Sequence, residues 1–299
     1  MTAATEVVRR EDRLRQLELL VTHKLDGLLQ GDHQGLVPGG GTEPADGRAY
    51  TPGDDVRRMD WNLTARMASP HLRTTIADRE LETWLVVDTS ASLDFGTAQC
   101  EKRDLALAAA AAFGFLTMRD GNRVGAALFG ADGVSVVPPR SGRQPVLALL
   151  HRLDRRERAE EGSGSVPLAD ALRRVRLGAQ RRGLVVVITD LADDGPWHRE
   201  LRALAHRHAV VVVEVRDRRE AELPPAGLLT LVDPETGRRL EVQTSNAKVR
   251  ARFEAAARAQ REARERAVRA AGAAHLVLDT DRDWLLDVVR FVATRRRRR

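Results

Sequence analysis

The 299 residues are 42% hydrophobic and 31% charged, a globular composition long enough for one large domain or two small ones. The single cysteine, Cys100, rules out an internal disulfide and a thiolate zinc site, and it fits a reducing compartment. The formal net charge is +6, but Arg295 to Arg299 supply five of those charges, so the rest of the chain is close to balanced and argues for no dedicated nucleic-acid surface.

Aromatic residues make up only 4% of the chain, so its core is expected to be Val, Leu and Ala. No apolar run reaches the roughly 18 residues of a membrane span, and Met1 to Arg15 lacks a signal-peptide core. The expected location is cytoplasmic and the default state a monomer.

Taken in order, Leu14, Leu17, Val21, Leu25 and Leu28 lie on one helical face and predict a helix over Glu11 to Gln30. Gly31 to Gly53, rich in Gly and Pro, reads as an irregular connection. Pro52-Gly53-Asp54 is a turn, and Asp54 or Asp55 can cap a short helix carrying Arg57 and Arg58. Asp54, Asp55 and Asp60 could be read as a metal cluster, but capping and ion pairing with neighbouring Arg is the preferred reading. Leu72 to Ile76 reads as a strand. Residues 1–79 are expected to pack as an extension on a main α/β domain of residues 80–294, followed by an Arg tail at 295–299.

The stretch that organises the rest is Trp84-Leu85-Val86-Val87-Asp88-Thr89-Ser90-Ala91-Ser92. A short apolar run with β-branched members predicts a buried strand, and it breaks into acid and hydroxyls before a helix at about Glu101. In open α/β sheets the carboxyl ends of the strands are where ligands bind. Asp88, Ser90 and Ser92 alternate along one tight loop and can offer hard oxygens to one Mg²⁺, Mn²⁺ or Ca²⁺. The same residue types also serve as ordinary turn and cap residues.

Downstream, Leu105, Ala109, Ala112, Phe113 and Leu116 mark a helix, Arg123 to Phe129 and Val134 to Val137 two strands, and Pro145 to Leu153 another helix. A charged loop from Arg155 to Gly164 precedes the helix of Leu168, Ala171, Leu172 and Val175. Leu184-Val185-Val186-Val187-Ile188-Thr189-Asp190 is a second β-branched run ending in an acid, which predicts a strand of a parallel sheet buried on both faces. Pro196 to His206 is a helix and Ala209 to Val215 a third buried strand. The alternation predicts a doubly wound α/β fold. Leu228 to Val232 and Arg239 to Gln243 flank Asp233-Pro234-Glu235-Thr236-Gly237, a hairpin insertion. Val249 to Ala271 is a long helix with Phe253, Ala256, Ala263 and Ala267 expected on its inner side, followed by a strand from His275 to Leu278 and a closing helix from Trp284 to Ala293.

If the strands ending in Asp88 and Asp190 are neighbours, their carboxylates share one crevice. Two such charges about 4 Å apart repel by roughly 4 kcal/mol at an effective dielectric near 20, so the pair calls for a cation or a shared proton.

Pro52 to Trp61, Thr64-Ala65-Arg66, Asp88-Thr89-Ser90-Ala91-Ser92 with Phe95-Gly96, and Thr189-Asp190 together resemble the prokaryotic family called domain of unknown function 58, a relative of the von Willebrand factor A domain. That resemblance implies a Rossmann-like, mostly parallel sheet with a metal-ion-dependent adhesion site at its top. Asp88, Ser90 and Ser92 would be first-loop ligands, and Asp190 the third-loop acid, often bonded through water. The second loop of such domains carries Gly-Thr-x-Leu; here Ser165-Val166-Pro167-Leu168 matches, so Val166 replaces the ligand Thr and Ser165 or Ser163 is the substitute oxygen. In such sites a partner's Asp or Glu can replace a metal-bound water. The resemblance therefore implies a non-catalytic, Mg²⁺-assisted protein-binding module (Mn²⁺ or Ca²⁺ being alternatives), working with a MoxR-type AAA+ ATPase in complex assembly or chaperone-like activity. A metal-dependent hydrolase is the alternative, though no Gly-x-Ser-x-Gly elbow or phosphate-binding loop is present. Nucleic-acid or anion binding through the Arg tail is a third possibility.

Overall fold

In the computed structural model, which describes residues 14–22, 45–51, 59, 61–67, 69–74, 81–118 and 121–297, the two β-branched runs become adjacent strands in the middle of one sheet. Ahead of them lie helix α1 (residues 14–22) and a small antiparallel pair, β1 (Ala45–Ala49) with β2 (His71–Thr74), with α2 (Trp61–Met67) between its strands. The main unit then runs β3 (Glu82–Asp88), α3 (Lys102–Met118), β4 (Arg123–Gly130), β5 (Gly133–Ser141), α4 (Arg143–Asp154), α5 (Leu168–Gly178), β6 (Gly183–Thr189), α6 (Trp197–Ala205) and β7 (Ala209–Arg216). A hairpin of β8 (Leu228–Val232) and β9 (Arg239–Gln243) follows, then α7 (Ala247–Ala270), β10 (Ala274–Asp279) and α8 (Trp284–Arg297).

The six-stranded sheet has the order β10-β7-β6-β3-β4-β5, and every pairing is parallel except that of the edge strand β5. This is the mostly parallel, doubly wound α/β architecture that the pattern predicts. All seven residues of β3 and all seven of β6 are buried, the two-sided burial that an unbroken apolar run requires. Leu85 and Val87 face a layer holding α3, α4 and α8, whereas Trp84 and Val86 face a layer holding α5 and α6. Leu14 and Val21 of α1 are buried in the first layer.

Helix α3 is apolar on nearly every side because it is enclosed between the sheet and the helices α4 and α8. Its run of Ala lets it approach the sheet closely, which fixes the height of its N-terminus above the ends of β3 and β6.

Three expectations change. Within Gly31 to Gly53, read as an irregular connection, Ala45–Ala49 form β1, because pairing with β2 supplies the backbone partners that the local composition does not announce. Ala256 and Ala263 are exposed, and Val268 is the buried residue of α7. Alanine is compatible with either environment, so an Ala pattern on an Arg/Glu-rich helix does not define its inner face. Pairs such as Glu262–Arg266 support that exposed helix instead. Helix α8 also continues to Arg297, so most of the arginine run is helical rather than a tail beyond the helix end. The expectations for Pro52 to Arg58, Asp60, Leu25, Leu28 and the segment around Asp78 lie outside the described residues.

Candidate functional site

Parallel pairing of β3 with β6 sets Val87 opposite Ile188, so both chains leave the sheet side by side. At the end of β3 the backbone turns sharply. Thr89 donates from its amide (2.7 Å) and its hydroxyl (2.6 Å) to the carbonyl of Phe129, which ties the first loop to β4. Gly130 permits that approach, because a Cβ there would lie 2.7 Å from Thr89 Oγ1. Ser90 donates its amide to Asp88 Oδ1 at 2.9 Å, and the chain then makes one 3₁₀ turn over Ala91–Asp94. This local winding brings Ser90 Oγ within 2.9 Å of Ser92 Oγ. Asp88, Ser90 and Ser92 are all buried. A cavity of about 610 Å³ opens beside Asp88, with Arg103, Arg156 and Arg158 on its wall.

The end of β6 meets this loop directly. Thr189 donates its hydroxyl to Asp88 Oδ2 at 2.7 Å. Asp190 Oδ1 accepts from Ala192 N at 2.9 Å, and Leu191 between them takes a left-handed φ of 56°. Lys102, the first residue of α3, is 1% exposed and donates through Nζ to Asp190 Oδ2 at 2.7 Å and also to Glu220 Oε1. The cation that the acid pair calls for is thus in part an internal ammonium.

The two acids consequently differ. Burial and the nearby Asp190 charge push the Asp88 carboxyl from 3.8 up to about 7, against the hydrogen bonds from Ser90 and Thr189. Burial also presses upward on Asp190, but Lys102 and the hydrogen bonds of Lys102, Ala192 and Ser92 outweigh it and hold that carboxyl below its ordinary value. For Lys102, burial is outweighed by Asp190 and Glu220, and its ammonium is held more firmly than in water.

The second loop contributes differently from the expected pattern. Val166 donates its amide to Gly130 O at 3.2 Å and carries no side-chain oxygen. Ser165 is exposed and bonds the Val166 carbonyl at 3.3 Å, and Ser163 is exposed as well. The side chain that reaches the first loop instead comes from the hairpin tip: Glu235 Oε1 accepts the Ser92 amide at 3.1 Å. Its other oxygen, Oε2, is buried with no hydrogen-bond partner.

This oxygen set suits a hard divalent cation. It holds the adjacent Ser90 and Ser92 hydroxyls, the Asp88 carboxyl raised by burial and by the neighbouring Asp190, and the orphaned Glu235 oxygen. Among the described residues no three His, Cys, Asp or Glu side chains form a ready cage, so any such site depends on the serine hydroxyls.

The sequence from residue 46 to 263 matches the family described as "Protein of unknown function DUF58". The chain belongs to the DUF58 family. An uncharacterized protein of Mycobacterium tuberculosis (strain ATCC 25618 / H37Rv), Rv1480, is 53% identical over 286 residues, covering 95% of this chain and 89% of the relative. A second, MAV169 of Mycobacterium avium, is 44% identical over 161 residues, covering 54% of this chain and 94% of the relative. Among solved structures, the conserved hypothetical protein BatB from Bacteroides thetaiotaomicron aligns with a TM-score of 0.43 at 15% identity, over 73% of this chain and 99% of that one. A von Willebrand factor type A structure from Catenulispora acidiphila aligns with a TM-score of 0.43 at 13% identity, over 72% of this chain and 42% of that one.

Several residues of this DUF58 site escape a reading by motif. Asp217, at the end of β7, is fully buried and accepts from Thr97 N (2.8 Å), Thr97 Oγ1 (2.6 Å), Thr280 Oγ1 (2.6 Å) and Arg219 N (2.8 Å). It repeats the signal of Asp88 and Asp190, an acid after a β-branched run, two residues beyond the expected strand end at Val215. Lys102 was detectable as one of only three lysines among 49 basic residues, standing at the head of an apolar helix. Nothing in the local sequence marks Glu235 or Glu220.

Proposed function

We propose that this DUF58 chain is a non-catalytic protein-interaction module whose partner docks at the carboxyl edge of β3 and β6. The observation that carries the reading is the convergence of Asp88, Ser90 and Ser92 from one strand end with Thr189 and Asp190 from the next. Asp88, Ser90 and Ser92 would hold a divalent cation, Mg²⁺ being the leading choice, with Asp190 behind them. When bound, such an ion would offer a coordination position to an acidic side chain of the partner.

The chain's own residues shape that encounter. Lys102 balances Asp190, so the full negative charge of two acids does not fall on one ion. Thr189 and the Ser90 amide fix the Asp88 carboxylate in a single orientation. Burial excludes water from the serine hydroxyls, which strengthens electrostatic contacts there. On the Ser92 side the site is covered by the hairpin tip through Glu235.

The family resemblance makes a MoxR-type AAA+ ATPase the proposed partner, and the single cysteine, which fits a reducing compartment, makes the cytoplasm the proposed location. No described helix is long and apolar enough to cross a membrane. No histidine bonds to Asp88, Ser90, Ser92 or Asp190 among the described residues, which favours binding over hydrolysis. The test is recovery of the ATPase on the immobilised chain in Mg²⁺ and in EDTA. Recovery lost both in EDTA and with Asp88→Ala supports the reading, whereas equal recovery in all arms overturns the metal bridge.

A further inference from the structure

The second loop lacks its expected oxygen at Val166, yet that loop is not idle. Gly162 donates its amide to Pro234 O at 2.9 Å, and Gly164 donates to Glu235 O at 3.0 Å. Both glycines have left-handed φ values, 79° and 72°, which aim these amides at the hairpin. The loop thus carries the tip of β8–β9 on its backbone, and the tip turns Glu235 toward Ser92.

No residue of either hairpin strand is fully buried. Leu228, Thr230 and Val232 are exposed along β8, while Leu229 and Leu231 of β8 and Val242 of β9 are partly covered. The hairpin's seating rests on polar contacts at the tip and on an Arg239–Glu161 pair at 3.3 Å. An exposed hairpin that buries one carboxylate and leaves Oε2 without a partner has placed an acceptor where a cation is wanted.

We infer that Glu235 is a direct ligand of the divalent cation at this site, supplying from the hairpin the oxygen that Val166 does not, so that cation binding seats the hairpin. The inference rests on the cation reading of Asp88, Ser90 and Ser92. Two carboxylates and two hydroxyls make an oxygen-only set of the kind Mg²⁺ and Mn²⁺ prefer. Asp190, already paired with Lys102, is left to the outer shell. An acidic partner side chain then competes with Glu235 instead of filling a spare position.

The experiment uses the full chain stripped with EDTA and titrated with Mn²⁺ alone by calorimetry, with hydrogen exchange followed over residues 228–243. The wild type is expected to bind and its hairpin amides to gain protection. Glu235→Gln keeps an acceptor for the Ser92 amide but loses the charge, and affinity is expected to fall by about tenfold or more, since even outer-shell changes cost about 10–100-fold. Glu235→Gln with Val166→Thr is expected to regain most of the loss, a rescue that a merely structural Glu235 would not allow. If Glu235→Gln fails to fold, Glu235→Asp gives the same comparison with the carboxylate withdrawn by one methylene. Wild-type affinity in the folded variant, with hairpin exchange indifferent to Mn²⁺, overturns the role of Glu235 and leaves the cation site standing. Absence of Mn²⁺ binding in the wild type overturns both.

Discussion

Lys102 Nζ lies 2.7 Å from Asp190 Oδ2, at a position where the side chains are 1% and 5% exposed. A buried pair of this kind contributes little compared with a well-packed apolar pair, but breaking it on one side leaves an uncompensated charge. Lys102→Met is therefore expected to cost about 3–5 kcal/mol of stability in urea unfolding. Lys102→Met with Asp190→Asn should recover most of that loss, because the stranded charge is gone. A double variant as unstable as the single one would show that Glu220, the other acceptor of Lys102, dominates the cost.

The raised Asp88 carboxyl makes a pH prediction whose sign is fixed. The folded state holds its proton up to about 7, while the unfolded chain releases it near 3.8. Between those values the native state binds more protons, so this group's contribution to stability is fully present below 3.8 and is lost as pH rises through about 7. Asp88→Asn in EDTA should flatten that part of the profile and gain most on the wild type at neutral pH. Added Mn²⁺ should favour the ionised carboxylate and release protons in the wild type alone. Proton release measured in two buffers of different ionisation enthalpy checks this.

Asp217 runs the other way. Burial presses its carboxyl upward, but the hydrogen bonds from Thr280, Thr97 and Arg219 outweigh it and hold the group below its ordinary value. Its stabilisation is present above the unfolded value of 3.8 and is lost as pH falls through the lower folded value. Asp217→Ala removes the acceptor from four donors and should cost about 2–4 kcal/mol near neutral pH, each stranded buried donor costing about 1–3 kcal/mol before relaxation. The deficit should shrink in acid. A deficit independent of pH would mean that packing, not the carboxylate, is what Asp217 supplies.

The sequence made the sheet and half of the site legible for one physical reason. A strand buried on both faces must be continuously apolar, so Trp84 to Val87 and Leu184 to Ile188 announce themselves, and the acids that follow mark where the sheet ends. The hairpin was equally plain, because Asp233-Pro234-Glu235-Thr236-Gly237 supplies its own turn chemistry, with Asp233 accepting from the Glu235 and Thr236 amides. What closes the site was not legible. Lys102 meets Asp190 across 88 residues and Glu235 meets Ser92 across 143, and no local period or propensity encodes such pairings. The buried face of α7 failed for a different reason: Ala is indifferent to burial, so its spacing carries little directional information.

Gly130 makes the last prediction, because it tests whether the first loop is held by β4. The residue ends β4 and its Cα faces Thr89, whose hydroxyl and carbonyl would lie 2.7 and 2.9 Å from an added Cβ. These are backbone and short-side-chain neighbours with no room to retreat, since Thr89 is bonded twice to Phe129 O. Gly130→Ala should therefore cost about 1–3 kcal/mol, the usual range for forcing a group into a packed site. The strain should fall on Thr89 and pass to Asp88 and Ser90, its chain neighbours. Mn²⁺ affinity should consequently drop along with stability, whereas Gly133→Ala, a few residues away where an added Cβ meets nothing within 4 Å, should leave affinity unchanged despite its own backbone strain at a φ of 94°. Equal loss of affinity in both variants would show that the metal responds to general destabilisation, and that the grip of β4 on Thr89 does not set the geometry of the first loop.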